Sequence, residues 1–234
     1  MIKNTRKVSN IRYASIREMD ISNGEGVGVA LFVQGCPFNP HCYNCFNPDT
    51  WDFDGGKEWT PKVKEKFLQL IDRPYIKRVS ILGGEPLFDQ NLDDVLDLVT
   101  EINKRYNMPQ YIVHNNCNNH NILNKNTDEI RLSSGRKNIW LYTGYTLNLE
   151  NGYIPVDDFW NEEDEQYSYF TTTPSENLST DLKRRKIIHQ CNVVVDGRYI
   201  DEQRDITLKW RGSKNQRVIS VQESLKQGKV ITVV

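Results

Sequence analysis

No run of about 18 apolar residues occurs in the 234-residue chain, so no helix is expected to cross a membrane. The first residues, MIKNTRKVSNIRY, are basic but lack the apolar core of a secretory signal. Charge of one sign is also missing. The net charge of −1 gives no general attraction to nucleic acid or anionic lipid, so neither is expected as a partner. Cysteine is scarce and odd in number, five in all, which does not make a disulfide framework. The expected compartment is therefore the cytoplasm. No internal repeat is found.

What is present suits a folded protein. Hydrophobic content of 38% beside 26% charged residues reads as globular, and the length suits a single domain over residues 1–234. GVGVALFVQG (26–35) alternates around Val29, Leu31 and Val33 and reads as a buried strand. Thr60-Pro61 supplies an N-cap and first residue for a helix with Val63, Phe67, Leu70 and Ile71 on one face. KRVSIL (77–82) is a second strand, and Asn91 is expected to cap a helix carrying Leu92, Val95, Leu96, Val99, Ile102 and Tyr106. IWLYT (139–143) and NVVV (192–195) are further strands.

Strands alternating with helices imply a mainly parallel sheet in an α/β fold. Each strand is followed at once by glycine or polar punctuation: the cysteine segment, GGEP (83–86), Gly144-Tyr145 and Asp196-Gly197. All four should gather at the carboxyl edge of the sheet, where parallel α/β folds bind ligands. Two stretches break the rhythm and read as insertions, at about 107–138 and 150–185. QYIVH (110–114) within the first is a candidate extra strand, and the second reads as a polar excursion.

Three of the five cysteines lie in GCPFNPHCYNCFNPDTW (35–51), as Cys36, Cys42 and Cys45 in the pattern C-x5-C-x2-C. Thiolates favour zinc, copper(I) or iron–sulfur clusters. Pro37, Pro40 and Pro48 disfavour a helix, so a loop is expected to carry the thiols. Spacing alone leaves three readings open: a cubane cluster with one iron free, a zinc knuckle completed by His41, or thiols without metal. GGEP, one βα unit later, favours the first. Its two glycines let backbone approach a ligand, and Glu85 offers an anion to an ammonium group.

Several residues have competing readings. HNNCNNH (114–120) has metal-ligand spacing but sits in a polar loop, and Cys191 opens an apolar strand as a small hydrophobe. Trp140, Tyr142 and Tyr145 read as packing residues before cofactor contacts. Arg211 holds either a partner or the terminus. Asp196 and Gly197 either face the site or make a turn. Residues 183–186 read as solvated basic surface.

LFVQGC leading into CxxCFNPDTW, then GGEPLFDQN, IWLYTGY, VVVDGRY and LKWRGSKNQR, resemble the radical S-adenosylmethionine enzymes. Within them they are most similar to the activases of the anaerobic ribonucleoside-triphosphate reductase. The blocks run in order from about residue 10 to residue 220, and WRGSKNQR (210–217) is the part particular to this branch. The resemblance implies a partial (β/α) barrel holding a 4Fe–4S cluster and S-adenosylmethionine. Cys36, Cys42 and Cys45 would be the cluster ligands. Asn44, Cys45 and Phe46 would line the cofactor, Gly84 would contact its methionine part, and Gly83 and Glu85 would be second contacts.

The implied reaction is reductive cleavage of S-adenosylmethionine at the open iron. The resulting 5′-deoxyadenosyl radical takes a hydrogen from a glycine of the reductase large subunit. The electron would come from a donor such as flavodoxin or ferredoxin. Related alternatives are activation of another glycyl-radical enzyme such as a formate lyase or, in a different class, a non-catalytic zinc-binding interaction module. The family spacing is C-x3-C-x2-C, so two extra residues stand here between Cys36 and Cys42. Closing a loop longer by two residues costs roughly a few tenths of a kcal/mol, and the cluster is expected to be retained. With Asn44 before the third cysteine instead of an aromatic residue, adenine contacts are expected from backbone or Phe46.

Overall fold

The structure is a computed structural model, and its described residues are 11–107, 110–111, 129–130, 135–147, 156–157 and 176–234. The first half of the chain carries β1 (Arg12–Asp20), β2 (Gly28–Val33), β3 (Lys57–Glu58), α1 (Pro61–Ile71), β4 (Arg78–Gly83) and α2 (Asp89–Ile102). Two-residue strands β5 (Gln110–Tyr111) and β6 (Glu129–Ile130) pair with each other. Then come β7 (Asn138–Tyr142), the short pair β8 (Thr146–Leu147) and β9 (Val156–Asp157), and α3 (Glu176–Gln190). The chain closes with β10 (Val193–Asp196), β11 (Arg217–Ser220) and α4 (Val221–Gln227). No helix among the described residues is long and apolar enough to cross a membrane.

Among the described residues, seven strands form one sheet in the order β11-β10-β7-β4-β2-β1-β3. The four strands expected from the sequence, β2, β4, β7 and β10, form its centre and run parallel. The pairings β10–β11, β1–β2 and β1–β3 are antiparallel, so the sheet is mixed where a mainly parallel one was expected. It is also open, with β3 and β11 at its edges. The antiparallel flanks escaped the sequence reading because β1, RYASIREMD, mixes charged residues with few apolar ones, as an edge-side strand can.

Pleating separates two faces. Val29, Leu31, Val33, Val79, Ile81, Ile139, Leu141 and Val194 join the helices in one large core. The alternate residues Ala30, Phe32 and Leu82 form a small second cluster, and Trp140, Val195 and Val218 a third. Helix α1 starts as expected, with the Thr60 hydroxyl accepting the Val63 N–H at 3.3 Å, and it buries Phe67, Leu68, Leu70 and Ile71.

Asn91 does not cap α2. The helix begins at Asp89, and the Asn91 amide is buried in its first turn, donating to the carbonyls of Gln34 at 3.1 Å and Glu85 at 2.9 Å. It ties two loops together instead of ending a helix.

Helix α3 occupies part of the stretch expected to be a polar excursion. Its sequence lacks an amphipathic stripe, and its hold on α2 is largely polar. Lys183 meets Asp93 at 2.7 Å, Arg184 meets Asp89 at 2.8 Å, and Asn103 donates to the Gln190 carbonyl at 3.0 Å. Ile187 and Ile188 supply its buried apolar contact. Arg184, expected as solvated surface, also donates to the Leu87 carbonyl and stacks over the Tyr145 ring. Here tertiary pairing overrides weak local preference.

The loop between β1 and β2 is anchored by a buried ion pair. Arg78 and Asp20 meet at 2.8 Å with side chains 0% and 1% exposed. The same guanidinium donates to the carbonyls of Asp20, Asn23 and Gly26, so its donors are satisfied internally.

Candidate metal and cofactor site

Register places the ends of the four parallel strands side by side. Val33 pairs with Gly83, and Tyr142 pairs with Val195. Backbone bonds then join the following loops: Gly84 N–H to the Val33 carbonyl at 2.9 Å, and Glu85 N–H to the Gly35 carbonyl at 2.6 Å. The expected meeting of the cysteine segment and GGEP is thus observed. Its tightness explains the glycines. A Cβ on Gly84 would lie 2.1 Å from the Gly35 oxygen, and Gly83 has φ +114° with Val33 backbone 2.7 Å from any Cβ.

Cys36, Cys42 and Cys45 line a cavity of about 540 Å³ together with Gly83, Gly84 and Glu85. All three are free thiols. Cys36 leaves β2 with its N–H bonded to the Trp51 carbonyl at 3.1 Å. The other two stand on a turn in which Cys45 N–H donates to the Cys42 carbonyl at 3.2 Å, and the Asn47 N–H points at the Cys45 sulfur at 3.4 Å. Burial pushes the Cys36 thiol up to about 12, reinforced by negative charge on Glu85, Cys42 and Cys45. Metal binding must displace such a proton, and a positive metal lowers the cost of doing so.

His41, the proposed fourth zinc ligand, is stacked flat on Trp51 with ring centroids 4.1 Å apart. Among the described residues no three His, Cys, Asp or Glu side chains converge closely enough for a single ion. A cubane spreads its anchors over separate irons, and three soft thiols on one cavity wall fit that requirement.

Glu85 is 1% exposed, yet its carboxylate is well supplied with donors. It accepts from Leu87 N–H at 2.9 Å, the Thr143 hydroxyl at 2.8 Å and Gly144 N–H at 2.8 Å. Burial still pushes its carboxyl up to about 7, against these hydrogen bonds and the positive Arg184. Expected as an anion for an ammonium group, Glu85 is first a brace joining the loops after β4 and β7. One oxygen carries a single donor and so can accept a further hydrogen bond.

Phe46 lines the cavity at 58% exposure. Asn44 adopts φ 55°, a left-handed conformation that asparagine tolerates, and its side-chain amide donates to Asp201 at 3.0 Å. Here the segment after β10 enters. Tyr199 packs on Phe46 at 4.8 Å, Gly212 lies under the same ring, and Arg198 donates to the Pro40 carbonyl. WRGSKNQR therefore belongs to the cavity wall, a placement its sequence did not announce. Arg211 lines the cavity and donates to the Val234 carbonyl at 3.1 Å, which favours the terminus-holding role. Asp196 is buried against Arg217 and Leu147 N–H, so it serves the fold, while Gly197 lines the cavity.

Cys191 is fully buried, as expected of a small hydrophobe. Trp140 and Tyr145 are packing residues, whereas Tyr142 lines the cavity. HNNCNNH and most of both expected insertions lie outside the described residues.

A family described as a 4Fe-4S single cluster domain matches residues 22–133 and 156–219. Similar curated proteins carry the name anaerobic ribonucleoside-triphosphate reductase-activating protein. The one from Salmonella typhi is 28% identical over 210 residues, covering 89% of this chain and 97% of its own. Those of Escherichia coli K12 and Enterobacteria phage T4 are 27% and 25% identical, covering 89% and 90% of this chain and 97% and 94% of their own.

Proposed function

The chain belongs to the family of 4Fe-4S single cluster domains, and from that premise we propose that it is a radical S-adenosylmethionine activase of an anaerobic ribonucleoside-triphosphate reductase. The observation that carries the reading is the convergence of three free cysteines and the GGEP turn on one cavity at the carboxyl edge of four parallel strands. When bound, the cluster supplies the electron that splits the sulfonium cofactor, and the outcome is a glycyl radical on the reductase.

The chain's own residues hold and orient. Cys36, Cys42 and Cys45 each anchor one iron. Gly83 and Gly84 present backbone to the methionine part of S-adenosylmethionine. Glu85 fixes the β4 and β7 loops against each other and offers its spare acceptor to the cofactor ammonium. Phe46 offers an exposed ring for the adenine, with Asn44 and Cys45 backbone beside it. Phe38 and Tyr199 help keep water from the site. The partial-barrel description, the single-domain reading, a cytoplasmic setting and a flavodoxin- or ferredoxin-like electron donor belong to the same proposal.

The test is anaerobic reconstitution with iron and sulfide, followed by reductant, S-adenosylmethionine and purified reductase. Expected are 5′-deoxyadenosine and a glycyl-radical EPR signal on the reductase. Cofactor cleavage without that signal would move the target to another glycyl-radical enzyme, such as a formate lyase. Colourless protein holding one zinc would overturn the reading.

A further inference from the structure

The cavity extends beyond the cysteines, along the sheet face that the helices leave uncovered. Phe32, Leu82, Tyr142 and Val195 fall in one row across β2, β4, β7 and β10, and all four line the cavity. Trp210 closes one side, edge-on to Trp140 at 5.0 Å, in a left-handed conformation at φ 61° that is rare for a bulky residue. Asn23 of the β1–β2 loop also lines this cavity. This row is apolar apart from one atom. The Tyr142 hydroxyl oxygen is buried and has no hydrogen-bond partner among the described residues. The Arg78 guanidinium and the Asp20 carboxylate nearby are committed to each other, and burial raises the Tyr142 hydroxyl's pKa, so it stays a donor.

A buried hydroxyl without a partner costs free energy, which suggests that a ligand supplies one. The polar backbone suited to a charged cofactor lies at the loops beyond the strands, around Gly84 and Gly144. This row instead offers apolar surface and two donors suited to carbonyl acceptors, the buried hydroxyl and, at its β2 end, the Arg17 guanidinium over the Phe32 ring. That combination suits a stretch of main chain. A target glycine has no side chain to grip, so only its neighbours and its peptide groups can set its position. Resting on the function proposed above, the geometry points to the Tyr142 hydroxyl as a positioning group for the reductase. It donates a hydrogen bond to a main-chain carbonyl of the reductase segment that enters the cavity, and so sets that segment's register against the cysteine loop.

Tyr142→Phe tests this, since it keeps the ring and removes the donor. In calorimetric titration of iron-free protein with purified reductase, the variant is expected to bind about fivefold more weakly. In the reconstituted enzyme, glycyl radical formed per S-adenosylmethionine cleaved should fall by a similar factor. The melting temperature should hold or rise, because an unpartnered hydroxyl stabilises nothing. Unchanged affinity and an unchanged ratio would overturn the role. A lowered melting temperature would instead make the hydroxyl structural, and a lowered cofactor affinity at constant ratio would place it on the cofactor; either result overturns the proposal. If wild-type protein binds no reductase and cleaves no cofactor, the activase reading itself fails first, which the wild-type arm reveals independently of the variant.

Discussion

Gly84 lies so close to Gly35 that a Cβ on Gly84 would stand 2.1 Å from the Gly35 carbonyl oxygen. The next residue uses the same oxygen, with Glu85 N–H donating to it at 2.6 Å. Two loops from neighbouring parallel strands are thereby held at main-chain contact, and the first cysteine follows Gly35 directly. The glycine pair serves this approach whether or not a ligand also comes near.

Gly84→Ala is therefore expected to push the cysteine loop from the GGEP turn. The obstacle is backbone rather than a flexible side chain, so the strain should reach about 3 kcal/mol. For a chain of this size that corresponds to a fall in melting temperature of about 10 °C. Iron content after anaerobic reconstitution should fall with it. A variant with wild-type melting and full iron would show that the loops are not held this way.

The four cysteines described should divide sharply. Alanine at Cys36, Cys42 or Cys45 is expected to abolish retention of iron and sulfide. Cys191→Ala should leave iron content untouched, since Cys191 lies in the main core with its thiol donating to the Ile187 carbonyl at 3.3 Å. Burial alone pushes the Cys191 thiol up to about 12, so it should also resist alkylation in the folded protein near pH 8. Iron analysis and timed alkylation check both halves. Iron retained by any of the three loop variants would refute the ligand assignment.

Glu85 should make the iron-free protein pH-sensitive in a defined direction. Its ordinary value is 4.5, and burial, only partly offset by its hydrogen bonds, raises it to about 7 in the fold. Between these values the folded chain keeps a proton that the unfolded chain has released. The contribution to stability is thus fully present below about pH 4.5 and lost as pH rises through about 7. Glu85→Gln removes the titration. The urea-derived stability of wild type minus that of the variant should fall across this window, and a constant difference would refute the shift.

Much of the site was legible because its chemistry is local in sequence. Strand ends are marked by glycine, and β2, β4, β7 and β10 are short apolar runs, so the carboxyl edge and its four loops are legible in the sequence itself. Legibility failed where a residue's role depends on distant partners. Asn91 has the composition of a cap, but its amide is claimed by carbonyls of Gln34 and Glu85. Helix α3 has no apolar stripe to announce it, and its ion pairs reach residues of α2 about 90 positions away. Tyr142 looked like one more packing aromatic of β7. Only its register with Val195 and its place on the cavity wall show that it faces the cavity. Asn44 had a readable signal in retrospect, since asparagine is among the side chains suited to positive φ.

Arg78 carries the largest stability effect expected from a single polar residue. Its ion pair with Asp20 is buried at both ends, and its other donors hold the loop that lies over Trp140. Arg78→Met leaves the buried Asp20 carboxylate with only the half-exposed Arg17 guanidinium, 4.0 Å away, and breaking a buried pair typically costs about 3–5 kcal/mol. Arg78→Met combined with Asp20→Asn should recover part of that loss, because the buried charge is then gone. Urea unfolding of the two variants measures the difference. Equal losses in both would show that the loop contacts, not the charge, dominate.

Asp201 offers a way to separate the cysteine turn from the fold as a whole. It lies on the surface, accepting from the Asn44 amide at 3.0 Å and from the Tyr199 hydroxyl at 2.5 Å. Asn44 is the residue between Cys42 and Cys45 held at φ 55°, so this bond pins the turn that presents two of the three thiols. Loss of a half-buried acceptor that water can reach should move global unfolding little, since water replaces it. It should loosen the turn, and metal sites depend on such outer contacts to orient their ligands. Asp201→Ala is therefore expected to leave the melting temperature of iron-free protein nearly unchanged while reconstituted protein releases iron to a chelator several-fold faster. Asp201→Asn keeps an acceptor and should restore most of the retention. If both variants release iron at the wild-type rate, the segment after β10 does not support the cluster loop, and its packing on Phe46 would then serve the cavity wall alone.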